Sequence, residues 1–245
     1  MNLLLDLGNT RLKCALSRDG MFGESVAFAH AEAGFDAHFE TWLVQIDASG
    51  LSQAWLAAVA PDAAIARVQA ALDRVGIRTH RVATQADTLG LRVAYAEPHK
   101  LGVDRWLAML AARARSIGAV LVASVGSALT VDAVDADGRH LGGLIAPPPE
   151  AMRAALLARA PRLDVADGEV HRFARSTEDG IASGCLLAAA ALIERSHTEL
   201  AREINAEPML VLSGGGALPL RPWLPPHEYA PALVLEGLAR FAGHA

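Results

Sequence analysis

The sequence Asp6-Leu7-Gly8-Asn9-Thr10 ends an apolar segment near the N-terminus, and Ser124-Val125-Gly126-Ser127-Ala128 ends a second apolar segment halfway along the chain. Their glycines are 118 positions apart, and the pair Asp19-Gly20 recurs as Asp137-Gly138 at the same offset (137 − 19 = 118). The repeat predicts two copies of one unit, each with a strand, a tight glycine turn and a second strand. Such turns expose backbone N–H groups to phosphate oxygens, so we expect two loops that face each other across a nucleotide cleft.

Composition excludes several classes of protein. The chain has 245 residues, of which 52% are hydrophobic and 20% charged, enough for one large domain or two smaller ones. Its net charge of -5, with Lys and Arg scattered along the chain, gives no electrostatic reason to expect binding to nucleic acid or to an anionic membrane. Cys14 and Cys185 have no metal-ligand spacing, so we expect two reduced core thiols.

No segment has the pattern of a membrane span or a secretory signal. The longest apolar run, Cys185 to Ile193, is about half of the roughly 20 residues that a span needs. Asp6 interrupts the first apolar run too early for a signal peptide. We therefore expect a cytoplasmic protein.

Strand and helix signals alternate along the chain. The first three strands, expected over Asn2–Leu5, Leu12–Ser17 and Glu24–His30, join at Gly8-Asn9 and at Asp19-Gly20 as a β-meander. Alternating helices and strands follow, ending in a patterned helix over 103–116. The second half repeats this order, with strands over 119–125, 129–134 and 140–145 and helices over 150–160, 178–204 and 232–242. The pattern predicts an α/β fold with two similar lobes of mixed β-sheets, residues 1–117 and 118–245.

Asp6 is the first candidate site residue. A carboxylate at the end of a buried strand is costly unless it meets a cation or hydrogen-bond donors, and Mg²⁺ or its bound water would satisfy it. The alternative is an Asp that only caps the following turn. Gly8 allows close backbone approach to phosphate oxygens, Asn9 and Thr10 add side-chain donors, and Lys13 adds a positive charge.

A second candidate lies at Gly102-Val103-Asp104-Arg105, just before and within the start of a helix. Asp104 falls in the first turn, near the positive end of the helix dipole, where a carboxylate can orient or deprotonate a hydroxyl. The alternative is an Asp that only stabilises its helix. Arg105 could bind a carboxylate or a transferred phosphoryl group.

Other polar and glycine residues give weaker signals. Ser213-Gly214-Gly215-Gly216-Ala217 follows a Val/Leu strand and would let the backbone approach adenine or ribose, or would simply start a helix. Tyr95 could supply a hydroxyl or a packing surface. The three histidines His99, His171 and His197 have no metal spacing, so surface or loop roles are expected.

Taken together, these segments resemble type III pantothenate kinase, a family of the acetate kinase, sugar kinase, heat-shock chaperone and actin superfamily. The resemblance rests on six motifs that occur in the family's order over nearly the whole chain: DLGNT at 6–10, GVDR at 102–105, GSALTVD at 126–132, GGLIAP at 142–147, STEDGI at 176–181 and SGGGA at 213–217. The superfamily shares the first motif and the glycine loops, whereas GVDR together with STEDGI narrows the resemblance to this family.

The resemblance implies a duplicated ribonuclease H-like fold and transfer of the γ-phosphoryl group of ATP to the primary hydroxyl of pantothenate, the first step toward coenzyme A. By similarity Asp104 is the general base. The residues expected to bind ATP with Mg²⁺ are Asp6, Leu7, Gly8, Asn9, Thr10, Arg11, Leu12 and Lys13, with Asp6 at the metal and Ser127 where the family usually has a nucleotide-contacting Thr. The residues that match pantothenate-binding positions are Tyr95, Gly102, Val103, Asp104, Arg105 and Thr177.

The resemblance also implies a homodimer whose substrate pocket draws on both subunits, with Thr177 acting across the interface. It implies a monovalent cation, K⁺ or NH₄⁺, but many members have an Asp where this chain has Ser124, and a neutral hydroxyl cannot supply that charge. The usual Pro-Gly after the GGxI turn is replaced by Pro147-Pro148-Pro149.

Two other functions stay open at this stage. A kinase of the same superfamily acting on another small hydroxylated acid would keep Asp6 and both loops, but would not need Arg105 and Tyr95 to face a carboxylate. A regulatory accessory factor could bind ATP without turnover, yet nothing would then require it to keep Asp104.

Overall fold

The computed structural model describes residues 1–18, 21–46, 51, 53–160 and 167–244, so the predicted turn at Asp19-Gly20 lies outside the described residues. The strands are β1 (Asn2–Leu7), β2 (Arg11–Arg18), β3 (Met21–Phe22), β4 (Val26–Ala29), β5 (Gln53–Ala58), β6 (Arg78–Val82), β7 (Asp87–Thr88), β8 (Leu91–Arg92), β9 (Val120–Val125), β10 (Leu129–Val134), β11 (His140–Ala146), β12 (Met209–Ser213) and β13 (Glu228–Tyr229). The helices are α1 (Phe35–Gln45), α2 (Asp62–Arg74), α3 (Val103–Arg113), α4 (Pro149–Arg159), α5 (Thr177–Ile204) and α6 (Leu233–Ala242), with 3₁₀ turns at Pro98–Lys100 and Leu218–Trp223.

The chain forms two compact units. The first contains Met1–Arg115, Gly138–His140 and Ala232–Ala245, and the second contains Ser116–Asp137 and Leu141–Pro231. The chain therefore first passes between the units at Arg115, two residues before the end of the predicted first lobe. The predicted second lobe also included α6, which the structure groups with the first unit.

The first unit is built on a six-stranded mixed sheet in the order β3-β2-β1-β5-β6, with β4 also paired to β2. β1 is antiparallel to β2 and parallel to β5. Side chains alternate along β1, so Leu3, Leu5 and Leu7 enter the apolar core formed with α1 and α2, and Asp6 lies on the other face. The predicted meander is confirmed, except that its third strand is shorter than predicted (β4) and is preceded by a separate short strand, β3.

Helix α6 belongs to the first unit because its apolar side packs on α3. A Cβ atom on Gly237 would collide with the carbonyl oxygen of Leu107, so only glycine allows this approach of the two backbones. The Phe241 ring meets Trp106 edge-on at 5.3 Å between ring centroids and Trp55 of β5 at 5.9 Å. These contacts join residues far apart in sequence.

The second unit repeats the strand arrangement of the first. Its five-stranded sheet has the order β11-β10-β9-β12-β13, in which β9 is antiparallel to β10 and parallel to β12. β9 begins 118 residues after β1 (120 − 2), and β10 begins 118 residues after β2 (129 − 11). The predicted duplication and α/β class are therefore confirmed.

The long helix α5 covers one face of the second sheet. Leu186, Ala190 and Ile193 of α5 pack against Leu121 and Ala123 of β9. Within the described part of the chain, no helix combines the length and the apolar character that crossing a membrane requires.

Two local expectations about single residues were wrong. His197, expected in a surface or loop role, is buried in α5, where its Nε2 lies 2.9 Å from the carbonyl oxygen of Pro208. Cys185 is only partly buried on the same helix, whereas Cys14 is a core residue as expected. The helix that contains Asp104 also ends earlier than expected, at Arg113 and not at Ser116.

Candidate active site

The turn between β1 and β2 carries the predicted phosphate loop. The Gly8 N–H donates to the carbonyl oxygen of Arg11 at 3.0 Å and closes the turn, and Asn9 and Thr10 are exposed at its tip. Gly8 does not have a positive φ, and a Cβ atom there would meet its nearest neighbour at 3.6 Å, an ordinary contact. The local fold therefore does not require glycine at this position.

The other residues of the predicted 6–13 segment divide by environment. The side chains of Leu7 and Leu12 are fully buried in the core, so only their backbone can face a ligand. Arg11 is exposed at the start of β2. Lys13 is the register partner of Asp6 on the antiparallel strand, which puts an ammonium group beside the carboxylate.

Asp6 is a buried carboxyl group with charged neighbours. It is 9% exposed, and this burial raises its pKa to about 6. The Lys13 ammonium opposes the rise in pKa, and the Asp104 carboxylate adds to it. Two carboxylates therefore interact at this point of the first unit, and a cation placed between them would reduce their repulsion.

The N-terminus of α3 holds Asp104 at the carboxyl ends of parallel strands. Gly102 is the N-cap residue and Asp104 lies in the first turn, as the sequence predicts. The Arg105 N–H donates to Oδ1 of Asp104 at 2.9 Å. Beyond the end of β6, the Thr84 hydroxyl donates to the carbonyl oxygen of Leu101 at 2.8 Å and fixes the chain entering the helix.

Arg105 and Tyr95 form a second polar pair in the first unit. The guanidinium of Arg105 is buried, and its Nη1 donates to the Tyr95 hydroxyl at 3.2 Å. Val103, also predicted at the site, is buried, so its side chain belongs to the helix packing. A buried guanidinium beside a phenol can bind a planar carboxylate with several donors.

Sequence reasoning missed two histidines that contact predicted site residues. His140 stacks on Tyr95 with ring centroids 6.0 Å apart, and the Nε2 of His30 lies 3.0 Å from the carbonyl oxygen of Gly8. Both histidines are buried. Neither histidine lies in a sequence motif that would indicate a functional role, because each contacts its partner only in the folded protein.

The two glycine loops of the second unit meet where the neighbouring parallel strands β9 and β12 end. The Gly216 N–H donates to the carbonyl oxygen of Val125 at 3.0 Å, and Gly126 follows directly. Gly214 has φ +94°, and a Cβ atom there would collide with the Val125 backbone, so the fold itself requires this glycine. Ser127, the predicted nucleotide contact, is exposed in the adjoining turn.

Ser124 lies among hydroxyl groups. It is the register partner of Thr130 on β10 and of Ser213 on β12, so these three side chains lie on the same face of the sheet. Ser124 is therefore flanked by two further neutral oxygens.

Thr177 is the first residue of α5 and is exposed. The preceding Ser176 caps the helix, because its hydroxyl accepts the Asp179 N–H at 3.2 Å. The predicted residues thus fall into two sets. The first unit holds the 6–13 segment, Tyr95 and Gly102 to Arg105, and the second holds Ser127 and Thr177.

Two further features bear on ligands. Among the described residues, no group of three or more His, Cys, Asp or Glu side chains could hold a metal by itself. The second unit has a surface groove of about 240 Å³ between β11 and α5, and none of the predicted site residues lines it.

A family model and the sequences of related proteins agree on one family. The family model for type III pantothenate kinase matches residues 2–199. A type III pantothenate kinase of Stenotrophomonas maltophilia (strain K279a) is 44% identical over 244 residues, covering 98% of this chain and 97% of the relative. A type III pantothenate kinase of Xanthomonas campestris pv. campestris (strain B100) is 44% identical over 242 residues, covering 99% and 97%.

Solved structures show the same fold at low sequence identity. A protein described as a conserved Baf family transcriptional activator from Campylobacter jejuni matches with a TM-score of 0.64 and 19% identity, covering 99% of this chain and 98% of that one. Component A of (R)-2-hydroxyglutaryl-CoA dehydratase from Acidaminococcus fermentans matches with a TM-score of 0.52 and 13% identity, covering 100% and 96%. A glucokinase from an Antarctic psychrotroph matches with a TM-score of 0.50 and 11% identity, covering 100% and 99%.

Proposed function

The chain belongs to the type III pantothenate kinase family, and from that premise we propose that Asp104 is the base of its reaction. The enzyme catalyses ATP-dependent phosphorylation of pantothenate to 4'-phosphopantothenate, the first step of coenzyme A biosynthesis. The use of ATP as phosphoryl donor supports a cytoplasmic location.

The observation that carries the proposal is the position of the Asp104 carboxylate. Its Oδ1 accepts the Arg105 N–H in the first turn of α3, which holds the carboxylate in place at the positive end of the helix dipole. Phosphoryl transfer needs mainly positioning and charge neutralisation, with one group to accept the proton of the attacking hydroxyl. We therefore assign Asp104 as the group that accepts this proton.

ATP is assigned to the turn between β1 and β2. The backbone and side chains of Gly8, Asn9 and Thr10 supply hydrogen-bond donors, and Lys13 supplies positive charge for the phosphates. That glycine occurs at position 8 without a local structural need supports close approach of a ligand to the backbone. Ser127 in the second unit is assigned a further contact to the nucleotide.

The residues present fit a bound Mg²⁺. Mg²⁺ is usually held by one or two carboxylates together with waters and substrate phosphates, so a site with few protein ligands suits it. Asp6 would hold the ion directly or through water. The positive charge of the ion would offset the repulsion between the buried carboxylate of Asp6 and that of Asp104. When bound, the ion would neutralise charge on the phosphate oxygens.

Pantothenate is assigned to the surface around Arg105. The guanidinium of Arg105 and the hydroxyl of Tyr95 offer donors to the carboxylate of pantothenate, and Gly102 and Val103 contribute through their backbone. Thr177 is assigned a further contact from the partner subunit of a homodimer. The contact of Arg105 and Tyr95 with this carboxylate would favour pantothenate over neutral alcohols as the acceptor.

The homodimer is supported by exposed apolar residues of the second unit. Leu144 and Ile145 of the edge strand β11 are 48% and 65% exposed and lie on opposite faces of the sheet. On α5, Gly184, Ala188 and Ala191 are also exposed and fall on one side of the helix at helical spacing. A contiguous group of exposed apolar residues is a feature of protein interfaces.

We propose that K⁺ or NH₄⁺ activates this chain weakly, because Ser124 takes the place of a carboxylate. Ser124 and its neighbours Thr130 and Ser213 supply neutral oxygens, which leave the charge of a monovalent cation uncompensated at this position. Turnover with K⁺ should exceed turnover with Na⁺ only slightly at the same ionic strength, and strong activation by K⁺ would contradict the proposal.

The function is tested with a panel of acceptors. Purified protein is given Mg-ATP and, separately, pantothenate, its alcohol analogue pantothenol and a simple sugar, and ADP release is measured. The wild type should release ADP fastest with pantothenate. In the Arg105→Met variant, the rates with pantothenate and pantothenol should become similar. Equal rates with all acceptors would contradict the assigned carboxylate contact, and a sugar preference would point to another kinase of the superfamily.

A further inference from the structure

We propose that His30 is a positioning residue for the phosphate loop, a role that rests on the proposed assignment of ATP to the turn between β1 and β2. His30 lies one residue after β4 and is 7% exposed. Its Nε2 is 3.0 Å from the carbonyl oxygen of Gly8, the first residue of that turn.

The direction of this hydrogen bond is fixed by its chemistry. A carbonyl oxygen only accepts, so the ring nitrogen must carry a proton and donate. His30 therefore has its proton on Nε2, and the Gly8 carbonyl is held toward the ring. The two residues are 22 positions apart, so this is a tertiary contact and not part of the turn's own hydrogen bonding.

Holding the Gly8 carbonyl also orients the next N–H group. The peptide unit that joins Gly8 to Asn9 is planar and trans, so its C=O and its N–H point in opposite directions. With the carbonyl directed at His30, the Asn9 N–H must be directed away from it. Asn9 is exposed, and an N–H fixed in this way is preorganised to donate to a phosphate oxygen.

The imidazole is itself held by its surroundings. Arg67 of α2 donates through Nη1 to the backbone carbonyl of His30 at 3.0 Å, and its Nε and Nη2 each lie 2.9 Å from carboxylate oxygens of Asp36. The Phe35 ring packs edge-on against the imidazole at 6.3 Å, and the Arg67 guanidinium lies 4.9 Å above that ring. His30 thus connects α1 and α2 to the loop.

A second buried histidine provides a matched comparison. His197 is 6% exposed, and its Nε2 also lies within hydrogen-bond distance of a backbone carbonyl oxygen, that of Pro208 at 2.9 Å. It belongs to the second unit, where its Nε2 also lies 3.7 Å from a carboxylate oxygen of Glu207. Replacing either histidine removes one hydrogen bond between an imidazole and a backbone carbonyl oxygen, part-buried at His30 and buried at His197.

The experiment compares His30→Phe, His30→Gln and His197→Phe with the wild type. Mg-ATP affinity is measured by isothermal titration calorimetry, KM values for ATP and pantothenate by ADP release, and stability by thermal unfolding. Phe keeps the ring but cannot donate, whereas the amide of Gln can replace the Nε2 donor. His30→Phe should weaken ATP binding by up to about fivefold to tenfold, because binding must then supply the loop orientation that one hydrogen bond otherwise provides.

Three further results are expected. His30→Gln should recover most of the lost affinity, KM for pantothenate should change less than about twofold, and His197→Phe should lower the unfolding temperature without weakening ATP binding. The inference is overturned if His30→Phe binds ATP like the wild type, if His197→Phe weakens binding equally, or if Gln is no better than Phe. A wild type that fails to bind Mg-ATP would overturn it too.

The calorimetric arm separates this inference from the proposed function. If the wild type binds Mg-ATP but releases no ADP with pantothenate, the assignment of the acceptor fails. The effect of His30 on nucleotide affinity is measured in the same titrations regardless of that outcome.

Discussion

A Cβ atom on Gly102 would lie 2.5 Å from the Oδ1 of Asp104, so the carboxylate occupies the space that any other residue's side chain would need. Gly102 has φ −52°, a conformation open to all residues. Glycine is therefore required here by the position of the Asp104 carboxylate and not by the backbone.

Replacing Gly102 by Ala should reduce activity without unfolding the protein. The methyl group would displace a flexible carboxylate, which costs little stability, but Asp104 would no longer be aligned with the acceptor. We expect kcat to fall by about 10²-fold, the range for a lost general base, with little change in unfolding temperature. Gly23→Ala, at an exposed glycine with no neighbour within 4 Å, is the control and should be silent. Full activity in Gly102→Ala would contradict the role of this carboxylate position.

Replacing Gly8 by Ala should weaken nucleotide binding selectively. Space exists for the methyl group within the turn, so stability should change by less than about 1 kcal/mol, and the loss should appear as a raised Kd for Mg-ATP. Gly214→Ala offers the opposite result, because its positive φ and close contact with Val125 predict a clear fall in unfolding temperature. Equal destabilisation by the two substitutions would show that Gly8 has a structural role after all.

Asp6 should make stability depend on pH. Its pKa is about 6 in the folded protein against 3.8 as the ordinary value, so the folded state binds the proton more tightly and loses stability as pH rises from about 4 to about 6. Without Mg²⁺ and nucleotide, Asp6→Asn should therefore be more stable than the wild type by up to about 3 kcal/mol at pH 8, the energy of a shift of that size.

Urea unfolding at several pH values tests this expectation. The advantage of Asp6→Asn should shrink toward zero at about pH 3, below the ordinary pKa of 3.8, where the wild-type carboxyl is mostly protonated in both states. The same variant should lose kinase activity, because the amide cannot replace the charge assigned to the metal. An advantage that is identical at pH 4 and pH 8 would contradict the burial of an ionisable group at this position.

Features set by residues close together in sequence could be predicted, and features set by tertiary contacts could not. The repeat of β1 and β2 as β9 and β10, the position of Asp6 at the end of a buried strand and the position of Asp104 in a first helical turn all follow from local patterns. The attachment of α6 to the first unit does not, because it depends on the fit of Gly237 against Leu107, which no local pattern reveals.

The histidines show the same limit. His30 and His140 reach Gly8 and Tyr95 only through tertiary structure, and a single histidine without spacing to other ligands gave no reason to single them out. His197 was expected in a surface or loop role because isolated polar residues usually are, yet the Pro208 carbonyl satisfies it inside the unit.

The proposed homodimer predicts that a charge on the exposed side of α5 will separate the subunits. Ala188→Arg places a guanidinium at the exposed small-residue position on α5 and should give a monomer in sedimentation velocity. Val44→Arg, at a 76% exposed apolar residue of α1, is the control and should stay dimeric. If Thr177 acts across the interface, the monomer should also show a raised KM for pantothenate. A wild type that sediments as a fully active monomer would contradict both statements.

The most direct measurement is pantothenate-dependent ADP release from Mg-ATP by the wild type and by Asp104→Asn. Asn keeps the size of the side chain and can still accept the Arg105 N–H, but it cannot take the proton of the hydroxyl. We expect pantothenate-dependent turnover by the wild type and a fall in kcat of about 10²-fold or more in the variant, with ATP affinity retained. Equal turnover by the two proteins would contradict the assignment of Asp104 as the base.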